Sequence, residues 1–261
     1  MHLQWKNQLQ DKEQLNELYR SLGLPQGSQL YGRDDQIEEL SNILNFDKDT
    51  KTSLVGVYGM TGIGKSYLVK HVALKMMTDK RNTSKVLFTD ASGVTTLSDV
   101  LVKLLQNPAI DLFASGSKEH MMGLLREYFI SYKHQQFILI FDDLSSLMDN
   151  GESEEVQKFL NFLLKAKKEY SLKVKVVVTS QVELKPVGSE DEKKTTKSLQ
   201  LSSLDENISK KLLHQDKKVR LDEKQEEMFL KECDVVDTHS LFMWSVRCCQ
   251  RVSTSAMIYK T

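Results

Sequence analysis

The stretch Gly59 to Ser66, Gly-Met-Thr-Gly-Ile-Gly-Lys-Ser, constrains the fold of this chain more than any other eight residues. It fits the pattern G-x-x-x-x-G-K-[ST], with Gly59, Gly64, Lys65 and Ser66 at the fixed places. The run before it, Thr52 to Gly59, is β-branched and mostly apolar and reads as a strand buried on both faces. The run after it puts Leu68, Val69, Val72 and Met76 on one side of a helix. A glycine loop between such a strand and helix has a specific use. Glycines let the chain curl until successive N–H groups converge on phosphate oxygens. The helix N-terminus adds the positive end of its dipole. Lys65 brings a point charge to the β- and γ-phosphates, and Ser66 offers an oxygen to Mg²⁺.

The rest of the chain alternates in the same way. Strands are expected at Lys85 to Asp90, Gln136 to Asp143, Lys173 to Ser180 and, closing the sheet, Ser198 to Leu204. Helical spacing falls between them at 96–106, 118–132 and 154–170, and ahead of them at 8–22 and 33–46. The pattern predicts an α/β fold, a parallel sheet layered between helices. Residues 1–28 read as a helix and linker, 29–185 as the P-loop core and 186–198 as a charged loop. Residues 199–261 read as the last strand plus a small, incomplete helical domain, with helical patterns at 205–214, 222–233 and 239–250.

A nucleoside triphosphate site also needs an acid at the end of a neighbouring strand. Phe137 to Phe141 are apolar and run into Asp142 and Asp143. Asp142 is the expected metal-side carboxylate, and Asp143 is placed to orient or deprotonate a water. The metal set is then Ser66 and Asp142 around Mg²⁺.

Charge narrows the partners. Lys plus Arg and Asp plus Glu are both 36, so the net charge is zero, which argues against general binding to nucleic acid or anionic membrane. The basic run Lys165 to Lys175 reads as the solvated flank of a helix and strand. Cys233, Cys248 and Cys249 match neither a disulfide framework nor a zinc pattern. The first residues are polar, and no apolar run is long enough to span a bilayer, so a cytoplasmic protein is the expectation.

The blocks QLYGRDDQIEELSNIL, VGVYGMTGIGKSYLVKHVA, VLFTDASGVTTLSDVLVKLL, FILIFDDL, VVVTSQ and LQLSSLDENISKKLL resemble, in this order, those of the NB-ARC module. That module belongs to the STAND class of signalling ATPases, found in apoptotic adaptors and plant immune receptors. The resemblance covers about residues 29 to 233. It implies ADP or ATP held between the P-loop domain and a helical domain, with Tyr31, Gly32 and Arg33 against base and ribose. The loop residues Gly59, Thr61, Gly62, Ile63, Gly64, Lys65 and Ser66, with Tyr67 beyond, are then the phosphate-side contacts. Gln181 stands where the family carries an arginine that senses the γ-phosphate. A neutral side chain there loses about half of a charge-assisted contact, which puts hydrolysis in question. The stretch after Cys233 lacks the family's Gly-Leu-Pro-Leu block, so the resemblance implies a partial member.

Three readings follow. One is a nucleotide-dependent switch with slow or no hydrolysis. Another is a turning-over ATPase that uses Asp143 as base. The third is an interaction module that modulates related signalling proteins through self-association or pairing, with Leu241 to Val246 as its apolar patch.

Overall fold

The strands form close to where the hydrophobic runs put them: β1 (Leu54–Tyr58), β2 (Lys85–Asp90), β3 (Gln136–Asp142), β4 (Lys173–Ser180) and β5 (Thr196–Gln200). The computed structural model describes residues 13–48, 51–107, 110, 112, 115–185, 193–205 and 207–209. Its helices are α1 (13–21), α2 (Asp34–Leu44), α3 (Lys65–Thr78), α4 (Leu97–Leu105), α5 (Lys118–Ser131), the single turn α6 (Ser145–Leu147) and α7 (Ser153–Glu169). A wide helical turn, Met148–Glu152, leads from α6 into α7. The helical patterns at 222–233 and 239–250 lie outside the described residues, as do the apolar residues 241–246. Of the pattern at 205–214, residues 207–209 are described and helical.

All strands run parallel in the order β2-β3-β4-β1-β5. The strand that feeds the glycine loop is therefore separated by β4 from the strand that ends in Asp142. Strand pleating splits the core in two. Leu54, Leu139, Phe141, Val176 and Val178 face α4, α5 and α7. Val55, Val57, Ile138, Ile140, Val177 and Leu199 face α2 and α3. Both faces are covered, which is why these strands read as continuous apolar runs rather than alternating ones. Gly56 fits this packing because a Cβ there would come within 3.2 Å of Leu184 Cδ1.

Three expectations change. The segment 23–29 is not a slack linker. Leu22 and Leu24 are buried against the α2/α3 core, and the His71 ring meets Ser28 O at 3.3 Å. β5 begins at Thr196, inside the stretch expected to be loop, because its ladder with β1 starts at the Leu54–Thr196 pair. The basic run 165–175 is not wholly solvated. Lys175 lies inside β4 on the α2 side, only 5% exposed, and donates to Ile43 O (2.5 Å) and Asn45 O (3.0 Å) at the end of α2. Lys167 reaches Ser53 Oγ at 2.5 Å.

Candidate functional site

Parallel strands in register bring their C-terminal ends to one edge. Asp90 pairs with Asp142, and Tyr58 pairs with Ser180 on one side and Gln200 on the other. The glycine loop after Tyr58, Asp142 at the end of β3 and Gln181 just beyond β4 therefore share this edge.

The glycine loop connects β1 to α3. Gly59, Gly62 and Gly64 take φ values of 151°, 69° and 98°, which side-chain-bearing residues rarely adopt. Gly64 is the residue before the first turn of α3, and no side chain caps that helix. By contrast α4 and α5 are capped by Thr96, which accepts from Asp99 N, and Ser117, which accepts from His120 N. α2 and α7 lack a side-chain cap as well, but at α3 the glycine loop lies directly before the leading N–H groups, which suits them to an anion. Lys65 is buried, and its Nζ donates to Gly59 O and Met60 O, both at 2.8 Å. This keeps the ammonium folded back along its own loop.

Across β4 stands the acid pair. Asp142 is 2% exposed and Thr179 is 0% exposed. The Thr179 hydroxyl donates to Asp142 Oδ1 at 2.7 Å and accepts from Asp143 N at 2.7 Å. One hydroxyl therefore fixes a carboxylate and the backbone of its neighbour. Asp143 adopts φ 61°, the left-handed region, so its side chain departs from the line of β3. Burial pushes the Asp142 carboxyl above the usual carboxylate range. Hydrogen bonds from Thr179 and Ser66 and the nearby Lys70 ammonium oppose this, while Asp90 adds to it. A carboxylate held in such surroundings gains from a cation. Asp142 and the adjacent Ser66 hydroxyl are hard oxygen donors, and Mg²⁺ needs few of them because it keeps several waters. Among the described residues no group of three or more His, Cys, Asp or Glu side chains stands together.

Gln181 is exposed just beyond β4, and its N–H donates to the buried Ser145 Oγ at 2.8 Å. Tyr67 packs against His71 with ring centroids 4.5 Å apart and the rings tilted by 47°. Thr61 and Tyr31 are exposed, and the Tyr31 hydroxyl donates to Gln29 Oε1 at 2.6 Å. Gly32 has φ 69°, and a Cβ there would lie 2.7 Å from Ile208 Cγ2. Arg33 is 4% exposed, and its Nη2 donates to Ile63 O (3.1 Å) and Ser202 O (2.7 Å). Burial lowers its pKa from the ordinary arginine value. Thr179 and Ser145 were not singled out from the sequence. The available signal was a threonine at the end of the buried strand Val174 to Ser180, since a hydroxyl there has to bond across the sheet.

The glycine loop, its lysine and an acid-ended strand one position removed define a P-loop nucleoside triphosphatase. The chain belongs to the AAA ATPase domain family, whose model matches residues 29–177, more than half of its length. Among curated proteins there is no match. Solved structures similar to it include the Aeropyrum pernix ORC2 protein in its ADP form, at 18% identity and TM-score 0.57, covering 83% of this chain and 61% of that one. CDC6P from Pyrobaculum aerophilum is similar at 14% identity and TM-score 0.56, covering 74% and 52%. Drosophila ORC bound to DNA is similar at 18% identity and TM-score 0.52, covering 87% and 56%. At these identities the likeness is one of fold. The chain spans between 52% and 61% of the length of these three. In the described residues no helix is long and apolar enough to cross a membrane.

Proposed function

We propose that this chain is an adenine-nucleotide switch module of the NB-ARC kind, binding ADP or ATP with Mg²⁺ and turning over slowly or not at all. The observation that carries the reading is the uncapped N-terminus of α3 behind three positive-φ glycines, with Lys65 in reach and Asp142 bonded to the Ser66 hydroxyl. Gly59, Thr61, Gly62, Ile63, Gly64, Lys65 and Ser66 hold the phosphates, and Tyr67 follows them on α3. Tyr31 and Gly32 lie on the base side. Ser66 and Asp142 hold Mg²⁺, whose charge would offset that of the phosphates. Slow turnover follows from Gln181, which brings no charge to the terminal phosphate.

A turning-over ATPase is the second reading. It is favoured by the way Thr179 fixes the backbone of Asp143 beside Asp142. The proteins of similar fold, one of them bound to DNA, do not extend DNA binding to this chain. Their identity is low, and 36 basic against 36 acidic residues leave no net positive charge to attract phosphate backbones. A cytoplasmic setting and pairing with related signalling proteins belong to the same proposal.

The test is direct. Purified protein is denatured and the released nucleotide identified, beside the Lys65→Ala variant. ADP or ATP from the first and little from the second is the expected result, and equal amounts from both would overturn the site. Phosphate release faster than about once a minute selects the ATPase reading, since unaided P-loop switches run more slowly.

A further inference from the structure

Arg33 is a buried cation whose described hydrogen bonds go to two backbone carbonyls on different segments. Ile63 O belongs to the peptide whose N–H is that of Gly64, in the phosphate loop. When loop N–H groups turn toward an anion, the carbonyls of the same peptides turn away from it. A guanidinium on such a carbonyl makes a charge-assisted bond and polarises the peptide, so the N–H on its far side becomes a stronger donor. Ser202 O belongs to the strap that leaves β5. That strap is seated on the loop independently of Arg33. Leu201 N donates to Tyr58 O at 2.8 Å, and a Cβ on Gly59 would lie 2.7 Å from Leu201 O. Further along, Leu204 and Ile208 close over Gly32. Two glycines and one arginine thus let three backbone segments meet at close range.

We propose that Arg33 is a positioning residue for the polyphosphate, acting through the Ile63–Gly64 peptide and tying that peptide to the strap at Ser202, without touching base or ribose. This rests on the nucleotide reading above and narrows it: Arg33 senses the phosphate chain and not the nucleoside. Loop and strap then move as one piece when the nucleotide changes.

The experiment titrates ADP, magnesium pyrophosphate and adenosine into the wild-type chain and into Arg33→Met and Arg33→Lys. Arg33→Met is expected to weaken ADP and pyrophosphate by about tenfold and adenosine by less than about twofold, the size of one charge-assisted bond lost. Arg33→Lys keeps the cation without the fork and is expected to fall between. If Arg33→Met does not fold, the same selective loss, smaller, is read from Arg33→Lys. In the wild type, hydrogen exchange over 201–205 is expected to slow when ADP binds. Equal losses for adenosine and ADP would overturn the proposal, as would unchanged ADP affinity in a folded Arg33 variant. A wild type that binds none of the three ligands removes the nucleotide reading and this inference together. A wild type that binds ADP while Arg33→Lys binds it equally removes this inference alone.

Discussion

Lys65 and Lys175 sit at opposite ends of the sheet and look alike. Each is buried, and each ammonium holds two backbone carbonyls, Gly59 O and Met60 O in one case, Ile43 O and Asn45 O in the other. Their surroundings differ. Lys65 follows three positive-φ glycines and opens an uncapped helix, so an anion finds N–H donors beside it. Lys175 lies within β4 beneath the C-terminus of α2, with the Phe46 ring centroid 4.9 Å away. There it meets the negative end of a helix dipole and an aromatic face, which offset part of the cost of burying a cation. A buried lysine marks a binding site only when the backbone around it presents donors rather than acceptors.

Substitution should separate the two residues most sharply. Lys65→Ala is expected to weaken ADP binding by about a hundredfold or more, near 2.7 kcal/mol, beyond any stability lost with its two carbonyl bonds. Lys175→Ala is expected to leave ADP affinity alone and cost about 2–3 kcal/mol of stability, since two carbonyls lose a charged donor in a packed site. Titration calorimetry and urea unfolding read both, and a common profile for the two variants would break the comparison. Glycines sharpen it next. Gly59→Ala meets the Leu201 carbonyl as well as an unfavourable φ, and is expected to cost about 1–3 kcal/mol and the nucleotide site together. Gly93→Ala has φ 68° but nothing within 4 Å, so about 1 kcal/mol of strain is expected, with binding intact.

Thr179→Val removes the hydroxyl from Asp142 and from Asp143 N. The Mg²⁺-dependent part of ATP affinity is expected to fall about tenfold and to return in Thr179→Ser, one hydrogen bond to a charged group being involved. Equal values for the two variants would deny Thr179 that role. Lys175 also makes stability depend on pH. Desolvation lowers Lys175 to about 8, with Lys167 adding to it. Between that value and the ordinary lysine value the unfolded chain binds the proton that the folded chain has released. Stability from this group therefore rises as pH increases from about 8 toward 10, and its cost is fully present below 8. Lys175→Met should abolish that rise, as measured by thermal unfolding across the range.

Much of the fold could be read from the sequence because its strands are buried on both faces. Runs such as Phe137 to Phe141 and Val174 to Val178 have no second interpretation of that length between helical stretches. The octet fixed the loop, and Asp142 followed from the strand that ends in it. Strand order was not legible. Only the ladders place β4 between β1 and β3, and with that placement Thr179 becomes a partner of Asp142. Lys175 was read as solvated because charge runs usually are, but pleating turns alternate residues of a buried strand inward whatever their charge. The resemblance implies Arg33 against base and ribose; its bond to Ser202, 169 positions away in the chain, is one that local pattern cannot reveal.

The left-handed backbone at Asp143 restricts what evolution can do with that acid. Aspartate, asparagine and glycine tolerate this conformation, while a longer side chain there would be strained by roughly 1–2 kcal/mol. Lengthening the acid by one methylene, to bring it closer to an attacking water, is therefore disfavoured while Thr179 holds the peptide as it does. Under the slow-turnover reading proposed above, a closer acid would require this corner to re-fold first.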